Sequence, residues 1–172
     1  AATIAAARHD AGFLKAVLAS TTGSGREVEK PETPKKAVNL LANPSFEEVS
    51  GQKPTHWKVR NYNGQSIHKL AAGGRTGKYC LEISSEKGSD TSWFHDVAVK
   101  PNTNYQLTGW VKAKELRNVR GAFGALFNIH ELQGAKVVRT KGITGTKDWT
   151  PLSVTFNSHN RSVIGINCLF GG

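Results

Sequence analysis

Residues 93–113, WFHDVAVKPNTNYQLTGWVKA, carry the clearest fold signal in the chain, because two alternating runs flank a polar turn. Side chains on a strand alternate between two faces. In the first run the two sets are Trp93, His95, Val97 and Val99 against Phe94, Asp96 and Ala98. In the second run they are Tyr105, Leu107 and Val111 against Gln106, Thr108, Trp110 and Lys112. Pro and Asn in the turn at 100–105 are typical of a tight reversal. The stretch predicts two strands, each with one apolar face.

Similar runs recur from residue 38 onward at intervals of roughly ten residues, separated by Gly, Asn, Asp and Pro. They read YCLEIS, GALFNIHE, KVVRTKGI, LSVTF and SVIGINCLF. Such spacing is typical of an all-β antiparallel sandwich or barrel. Residues 38–172 are therefore predicted to form one β-domain.

The first 37 residues differ in pattern from the rest. Apolar side chains at helical spacing in residues 1–20 predict an amphipathic helix, and they are Ile4, Ala7, Ala11, Leu14, Val17 and Leu18. Residues 21–37 are rich in Gly, Thr, Pro and charge, which predicts an exposed linker. Since nothing else reads as a long helix, we interpret residues 1–20 as the remnant of an upstream domain.

Composition narrows the class of protein. The 172 residues are 38% apolar and 21% charged, which fits one globular core. No apolar run reaches the roughly 20 residues that cross a bilayer. The chain contains no Met and starts at Ala1, so we expect a processed chain or a fragment. Arg8, His9 and Asp10 interrupt the Ala-rich start, which argues against a retained signal peptide.

Charge and cysteine patterns exclude two further classes. The net charge of +10 is mostly dispersed, and no nucleic-acid-binding motif accompanies it, so we predict no nucleic-acid partner. Cys80 and Cys168 have no CxxC or His at zinc-ligand spacing. A disulfide between neighbouring strands stays open, although two buried free thiols are the favoured interpretation.

Candidate catalytic pairs are His95 beside Asp96 and His130 beside Glu131. Adjacent residues on a strand point to opposite faces, so neither pair cooperates directly. Cross-strand pairings of His95 with Glu131, or of Asp96 with His130, stay open. No GxSxG, HExxH or phosphate-binding loop accompanies them, and we predict that this chain is not an enzyme.

A sugar-binding site requires less, because sugar rings stack on exposed aromatics and their hydroxyls bond to planar polar groups. The strand faces opposite the predicted core offer this mixture, and the predicted ligand-binding residues are Trp110, Phe94, Asp96, Gln106, Asn128, His130 and Arg139. Trp110 is the first choice as an anchor, although packing under a loop explains it equally well. Trp57, Trp93 and Trp149 are expected to be core or loop-packing residues.

Several motifs, taken in order, resemble a known family. They are NLLANPSFEE at 39–48, HW at 56–57, GRTGKYCLEIS at 74–84, VAVKPNTNYQLTGWVKA at 97–113 and GTKDWTPLSVTF at 145–156. This order resembles the carbohydrate-binding modules with a galactose-binding-like jelly roll that are appended to xylanases and other polysaccharide enzymes. The resemblance covers residues 38–172 and implies a jelly-roll β-sandwich.

The resemblance also implies roles for the opening stretch. It implies an opening strand in which Leu40 and Phe46 fill the sandwich, while Asn43-Pro44 bends the chain. It further implies a structural calcium ion, with Glu47 and Glu48 as candidate ligands beside carbonyls of residues 73–78.

One departure from the family concerns the last strand. Family members end in a strand that carries a calcium-ligating Asp, whereas this sequence stops at Gly171-Gly172. We expect the sandwich to be one strand short, through truncation, disorder, or a partner chain that supplies the strand.

The sequence thus predicts a non-catalytic carbohydrate-binding module of a larger secreted protein. A polysaccharide or glycan and the rest of the parent polypeptide are the expected partners, and the expected location is extracellular or periplasmic. The alternative is a structural or protein-interaction sandwich with no sugar site.

Overall fold

The structure, a computed structural model, describes residues 2–7, 14–16, 38–117, 121–133 and 137–171. All elements in these ranges are strands: β1 Ala2–Ala7, β2 Leu14–Ala16, β3 Val49–Ser50, β4 Lys53–Pro54, β5 Lys58–Gly64, β6 Ile67–Ala72, β7 Tyr79–Ser85, β8 Ser89–Ala98, β9 Asn104–Leu116, β10 Gly124–Gln133, β11 Val137–Arg139, β12 Gly145–Asn157 and β13 Val163–Gly171. Among these residues no helix is long and apolar enough to cross a membrane.

The strands form two large antiparallel sheets and a small hairpin. A six-stranded sheet has the order β12-β9-β1-β7-β6, with β2 also paired to β9. A five-stranded sheet has the order β11-β10-β13-β8-β5, and β3 pairs with β4. The predicted all-β antiparallel architecture is confirmed, while the jelly-roll connection stays a prediction.

One hydrophobic core lies between the two large sheets. Leu107 and Val111 enter it from β9, and Phe127, Ile129 and Ile166 enter it from the other sheet. Burial of this apolar surface is the main stabilising term of such a fold. The alternation predicted for residues 93–99 and 105–112 is confirmed, because the predicted core-side residues are buried and the opposite set is partly or fully exposed.

The predicted reversal at residues 100–105 is a tight turn that leads from one sheet to the other. The Tyr105 hydroxyl accepts the Lys100 N–H at 2.8 Å, and the buried Ser158 hydroxyl donates to the Lys100 carbonyl at 2.7 Å. Asn102 has a φ of +53°, which Asn tolerates better than most residues. The turn therefore crosses the sandwich instead of closing a hairpin.

The opening stretch is a loop, so the expected strand at 38–48 is wrong. Asn43 and Phe46 have φ values of +46° and +64°, which no regular strand contains. The buried Asn43 side chain stabilises the bend, since its Nδ2 donates to the Glu48 carbonyl at 2.8 Å and its Oδ1 accepts the Glu48 N–H at 3.1 Å. Phe46 and Leu40 do pack into the core, as expected.

The helix predicted over residues 1–20 is wrong at both stretches that the structure describes. Strand β1 pairs with both β7 and β9, and β2 pairs with β9. The backbone N–H and C=O groups of β7 and β9 can pair with an extended segment that lies beside them. These hydrogen bonds outweigh the helical preference that the sequence pattern indicates. The linker predicted over 21–37 lies outside the described residues, and the upstream domain stays a prediction.

Cys80 and Cys168 are buried free thiols, as favoured from the sequence. They lie on β7 and β13, which belong to different sheets. Burial raises the pKa of Cys80 to about 11 and that of Cys168 to about 12. Both side chains are therefore protonated near neutral pH.

Candidate functional site

A single cross-strand row runs over the outer face of the five-stranded sheet. The register places these residues side by side, one from each strand: Lys58, Phe94, Asn167, Asn128 and Arg139. Directly opposed residues share a face of the sheet. Four interstrand spacings make this row about 19 Å long. We call it the polar row.

The centre of the polar row is buried. Asn167 and Ser92 are both 0% exposed, although they lie on the outer side of the sheet. The Ser92 hydroxyl donates to Asn167 Oδ1 at 3.2 Å, and Asn167 Nδ2 donates to the Gly165 carbonyl at 3.4 Å. These two buried side chains therefore form their hydrogen bonds within the sheet.

Asn128 contributes the one buried side-chain oxygen or nitrogen in the described residues that has no hydrogen-bond partner, its Oδ1. A buried carbonyl without a donor costs about 1–3 kcal/mol. Such an orphan in a native site needs a donor from a ligand or from water. This oxygen lies in the middle of the polar row.

Aromatic rings stand around the polar row. The half-buried Phe94 ring has the Arg60 guanidinium 4.0 Å from its centroid. The Tyr62 and His130 rings meet edge to face at 5.8 Å. Tyr62 lies where the β5–β8 register shifts between Asn61 and Asn63, and such irregularities re-aim side chains.

Arg139 forms the far end of the polar row. Its guanidinium lies 3.4 Å from the ring centroid of Phe123, which is itself 45% exposed. This contact holds the long Arg side chain at the rim, where a cation–π pair contributes about 0.5–1 kcal/mol.

Two carboxylates flank the row on its other side. Asp96 is exposed and lies 4.0 Å from the Lys58 ammonium. Glu131 Oε2 accepts the Gly165 N–H at 2.7 Å. A Cβ at Gly165 would lie 2.7 Å from Glu131 Oε1, so a side chain at this position would displace the carboxylate.

The structure separates the candidate catalytic groups. His95 faces the core, where its Nδ1–H donates to the His56 carbonyl at 2.9 Å and its Nε2 accepts the Ala42 N–H at 3.4 Å. Burial lowers the pKa of His95, so its ring is neutral near pH 7. The open pairing of His95 with Glu131 is wrong, because Glu131 lies over Gly165 on the outer face.

The predicted ligand-binding residues divide between the two sheets. Phe94, Asp96, Asn128, His130 and Arg139 come together on the five-stranded sheet. Trp110 and Gln106 lie on β9, on the outer face of the six-stranded sheet. The Arg75 guanidinium covers the Trp110 ring at 3.7 Å, and Gln106 Nε2 donates to the Ser153 hydroxyl at 3.2 Å.

The other three tryptophans pack as predicted. Trp57 and Trp93 are core residues, 6% and 5% exposed. Trp149 packs with Ala71 against the buried Cys80 in a small separate cluster.

Sequence reasoning missed Arg60, Tyr62 and Asn167. The alternation of residues 58–62 could have indicated a strand, and this strand would have added Arg60 and Tyr62 to the candidate site residues. The register that brings β5 and β13 beside β8 is a tertiary property, and no local pattern encodes it.

The expected calcium ligands form an incomplete shell. Glu47 Oε1 accepts the Tyr79 N–H at 3.1 Å and lies against Gly77, where a Cβ would be 2.2 Å away. The Glu48 side chain is exposed. Among the described residues no group of three His, Cys, Asp or Glu could hold a metal. Two carboxylates supply fewer than the six to eight oxygens of a calcium site, and the ion stays a prediction.

Comparison with protein families gives a match over most of the chain. The family model of the carbohydrate binding domain matches residues 38–164. The chain therefore belongs to the carbohydrate binding domain family. A comparison with curated proteins returns no significant match.

Proposed function

We propose that the chain binds a glycan along the polar row of the five-stranded sheet, as a module without catalytic activity of its own. The observation that carries this proposal is the buried, unpartnered Oδ1 of Asn128 in the middle of that row. Family membership supports a carbohydrate as the class of ligand.

The chemistry of the row fits a sugar. Sugar rings present C–H faces that pack on aromatic rings, and hydroxyls that pair with amides, carboxylates and guanidinium groups. Phe94 and Tyr62 supply the rings, and Asn128 supplies an acceptor for a hydroxyl proton. A sugar that stacks on Phe94 from the side of Arg60 replaces the guanidinium contact at 4.0 Å.

Phe94, and not Trp110, takes the role of anchor in this proposal. A guanidinium lies against both rings, Arg75 at 3.7 Å from Trp110 and Arg60 at 4.0 Å from Phe94. Trp110, however, lies on the outer face of the other sheet, away from Asn128 and the polar row. Trp110 thus fits the second interpretation of the sequence, an aromatic side chain packed under a loop.

A binding experiment with two matched aromatic substitutions tests the proposal. A glycan array with the full chain selects a ligand, and titration calorimetry then compares Phe94→Ala with Trp110→Ala. We expect Phe94→Ala to weaken binding by about 2 kcal/mol, as for an aromatic anchor, and Trp110→Ala to change the Kd by less than about twofold.

Melting temperatures of both variants control for unfolding. The reverse order of effects would move the site to the six-stranded sheet. Absence of any glycan ligand would favour the alternative class, a structural or protein-interaction module.

We also propose the setting in which the module works. A chain without catalytic activity of its own is useful to a polysaccharide enzyme because it raises the local concentration of the enzyme at the glycan. Such glycans lie outside the cytoplasm, so a secreted multidomain parent is the proposed context.

A further inference from the structure

A second groove begins at the Lys58 end of the polar row, at the side of the sandwich where β5 and β6 are the edge strands of their sheets. It has a volume of about 790 Å³ and is bordered by the β3–β4 hairpin. This volume lies in the range of pockets that hold small ligands. We call it the edge groove.

The charge of the edge groove has one sign. Lys53, Lys58 and Lys69 line it, and none of its lining residues is acidic. Lys58 has a long contact of 4.0 Å to Asp96, whereas Lys53 and Lys69 take part in no ion pair within the described ranges. His68 adds no charge near pH 7, because burial lowers its pKa.

The neighbouring groove along the same side makes a contrast. It has a similar volume of about 810 Å³, but its lining contains both Glu86 and Lys87. A groove with unpaired cations and low-dielectric walls attracts anions, because the walls focus the field. The edge groove combines such cations with a wall of Trp57, Trp93 and Tyr79.

We propose that the edge groove is a second binding site, for an anionic saccharide that carries carboxylate or sulfate groups. Lys53 and Lys69 pair with the anionic groups, and the partly buried Tyr79 ring packs on a sugar face. Edge strands present unpaired backbone N–H and C=O groups, which are partners for sugar hydroxyls. This site meets the polar row only at Lys58, so one chain would hold a second glycan segment beside the first.

The test uses the full chain with two pairs of polymers. Polygalacturonate is compared with its fully methyl-esterified form, and dextran sulfate with dextran, by affinity electrophoresis at low and moderate salt. The test variant is Lys53→Gln with Lys69→Gln. The matched control is Lys100→Gln with Lys147→Gln, which removes the same charge from exposed positions outside the groove.

We expect tighter binding of at least one anionic polymer than of its uncharged counterpart. The test variant should bind that polymer about tenfold more weakly, while the control variant stays within about twofold. The polymer that binds identifies carboxylate or sulfate as the source of the charge. Phe94→Ala should retain this binding, which separates the edge groove from the polar row.

Three results would overturn the proposal. They are equal binding of charged and uncharged polymers, equal losses in the two double variants, and unchanged binding by a test variant that instead aggregates. The last result would show that the lysines protect the sheet edges from pairing with other strands.

Discussion

The outer faces of the two sheets differ in how far their side chains satisfy one another. On the six-stranded sheet, Arg75 covers Trp110, Lys112 pairs with Asp148 at 3.0 Å, and Trp149 covers Cys80. On the five-stranded sheet, Asn128 keeps a buried oxygen without a partner. Among the described residues, side chains of the first face contact one another, whereas Asn128 on the second face lacks a hydrogen-bond donor for its Oδ1.

The largest expected effect concerns the outer face of the six-stranded sheet. Trp149→Ala should expose Cys80, whose pKa burial raises to about 11 from an ordinary 9.0. A thiol reacts as the thiolate, so we expect its reaction with a disulfide reagent at pH 7.5 to accelerate by at least about tenfold.

Cys168 is the internal control for this measurement, since it lies in the other sheet and should stay unreactive in the folded protein. Equal acceleration at both cysteines would indicate global unfolding. An unchanged rate at Cys80 would show that Trp149 is not its cover.

The second-largest expected effect concerns the outer face of the five-stranded sheet. Asn128→Leu removes the orphan carbonyl and replaces it with an apolar side chain of similar size. We expect the free energy of unfolding to rise by up to about 1 kcal/mol, and the glycan affinity to fall about tenfold. Urea denaturation and titration calorimetry measure the two quantities.

Gln106→Leu on the opposite sheet is the matched comparison, because Gln106 already donates to Ser153. There we expect a small loss of stability and no change in affinity. A drop in stability for Asn128→Leu without a change in affinity would make Asn128 an ordinary structural residue and would erase the difference between the two faces.

The smallest expected effect is on the pH dependence of stability, and it concerns two histidines of the interior between the sheets. Burial lowers the pKa of His68 and of His95 below 6.5. The unfolded chain then binds more protons than the folded chain below pH 6.5. Stability contributed by these residues is present above that pH and is lost as the pH falls through their folded-state pKa values.

Chemical denaturation between pH 7.5 and 5 checks this dependence. The free energy of unfolding should decrease toward pH 5, and the decrease should be smaller in a His68→Gln and His95→Gln double variant. The same slope in the variant would assign the pH dependence to other groups.

How much the sequence predicted depends on whether the signal was local. Alternation within residues 93–99 and 105–112 identified the buried faces correctly, because side-chain direction on a strand follows from backbone geometry alone. Phe94 and Asp96 share a face of β8, and Asn128 and His130 share a face of β10, for the same reason. The strand order then brings these four residues and Arg139 to one sheet. The helical pattern of residues 1–20 gave a wrong prediction at β1, because this strand forms its hydrogen bonds with β7 and β9.

The sequence by itself determined an all-β domain from residue 38 onward, its core faces, its turn at 100–105 and its family, and it favoured free buried thiols at Cys80 and Cys168. Only the tertiary structure decided that Trp110 and Phe94 lie on different sheets, that Asn128 keeps an unpartnered oxygen, and that lysines gather between β5 and β6. The physical reason is that strand order and register depend on hydrogen bonds between segments far apart in the chain. Alternation along one strand carries no information about which strand lies beside it.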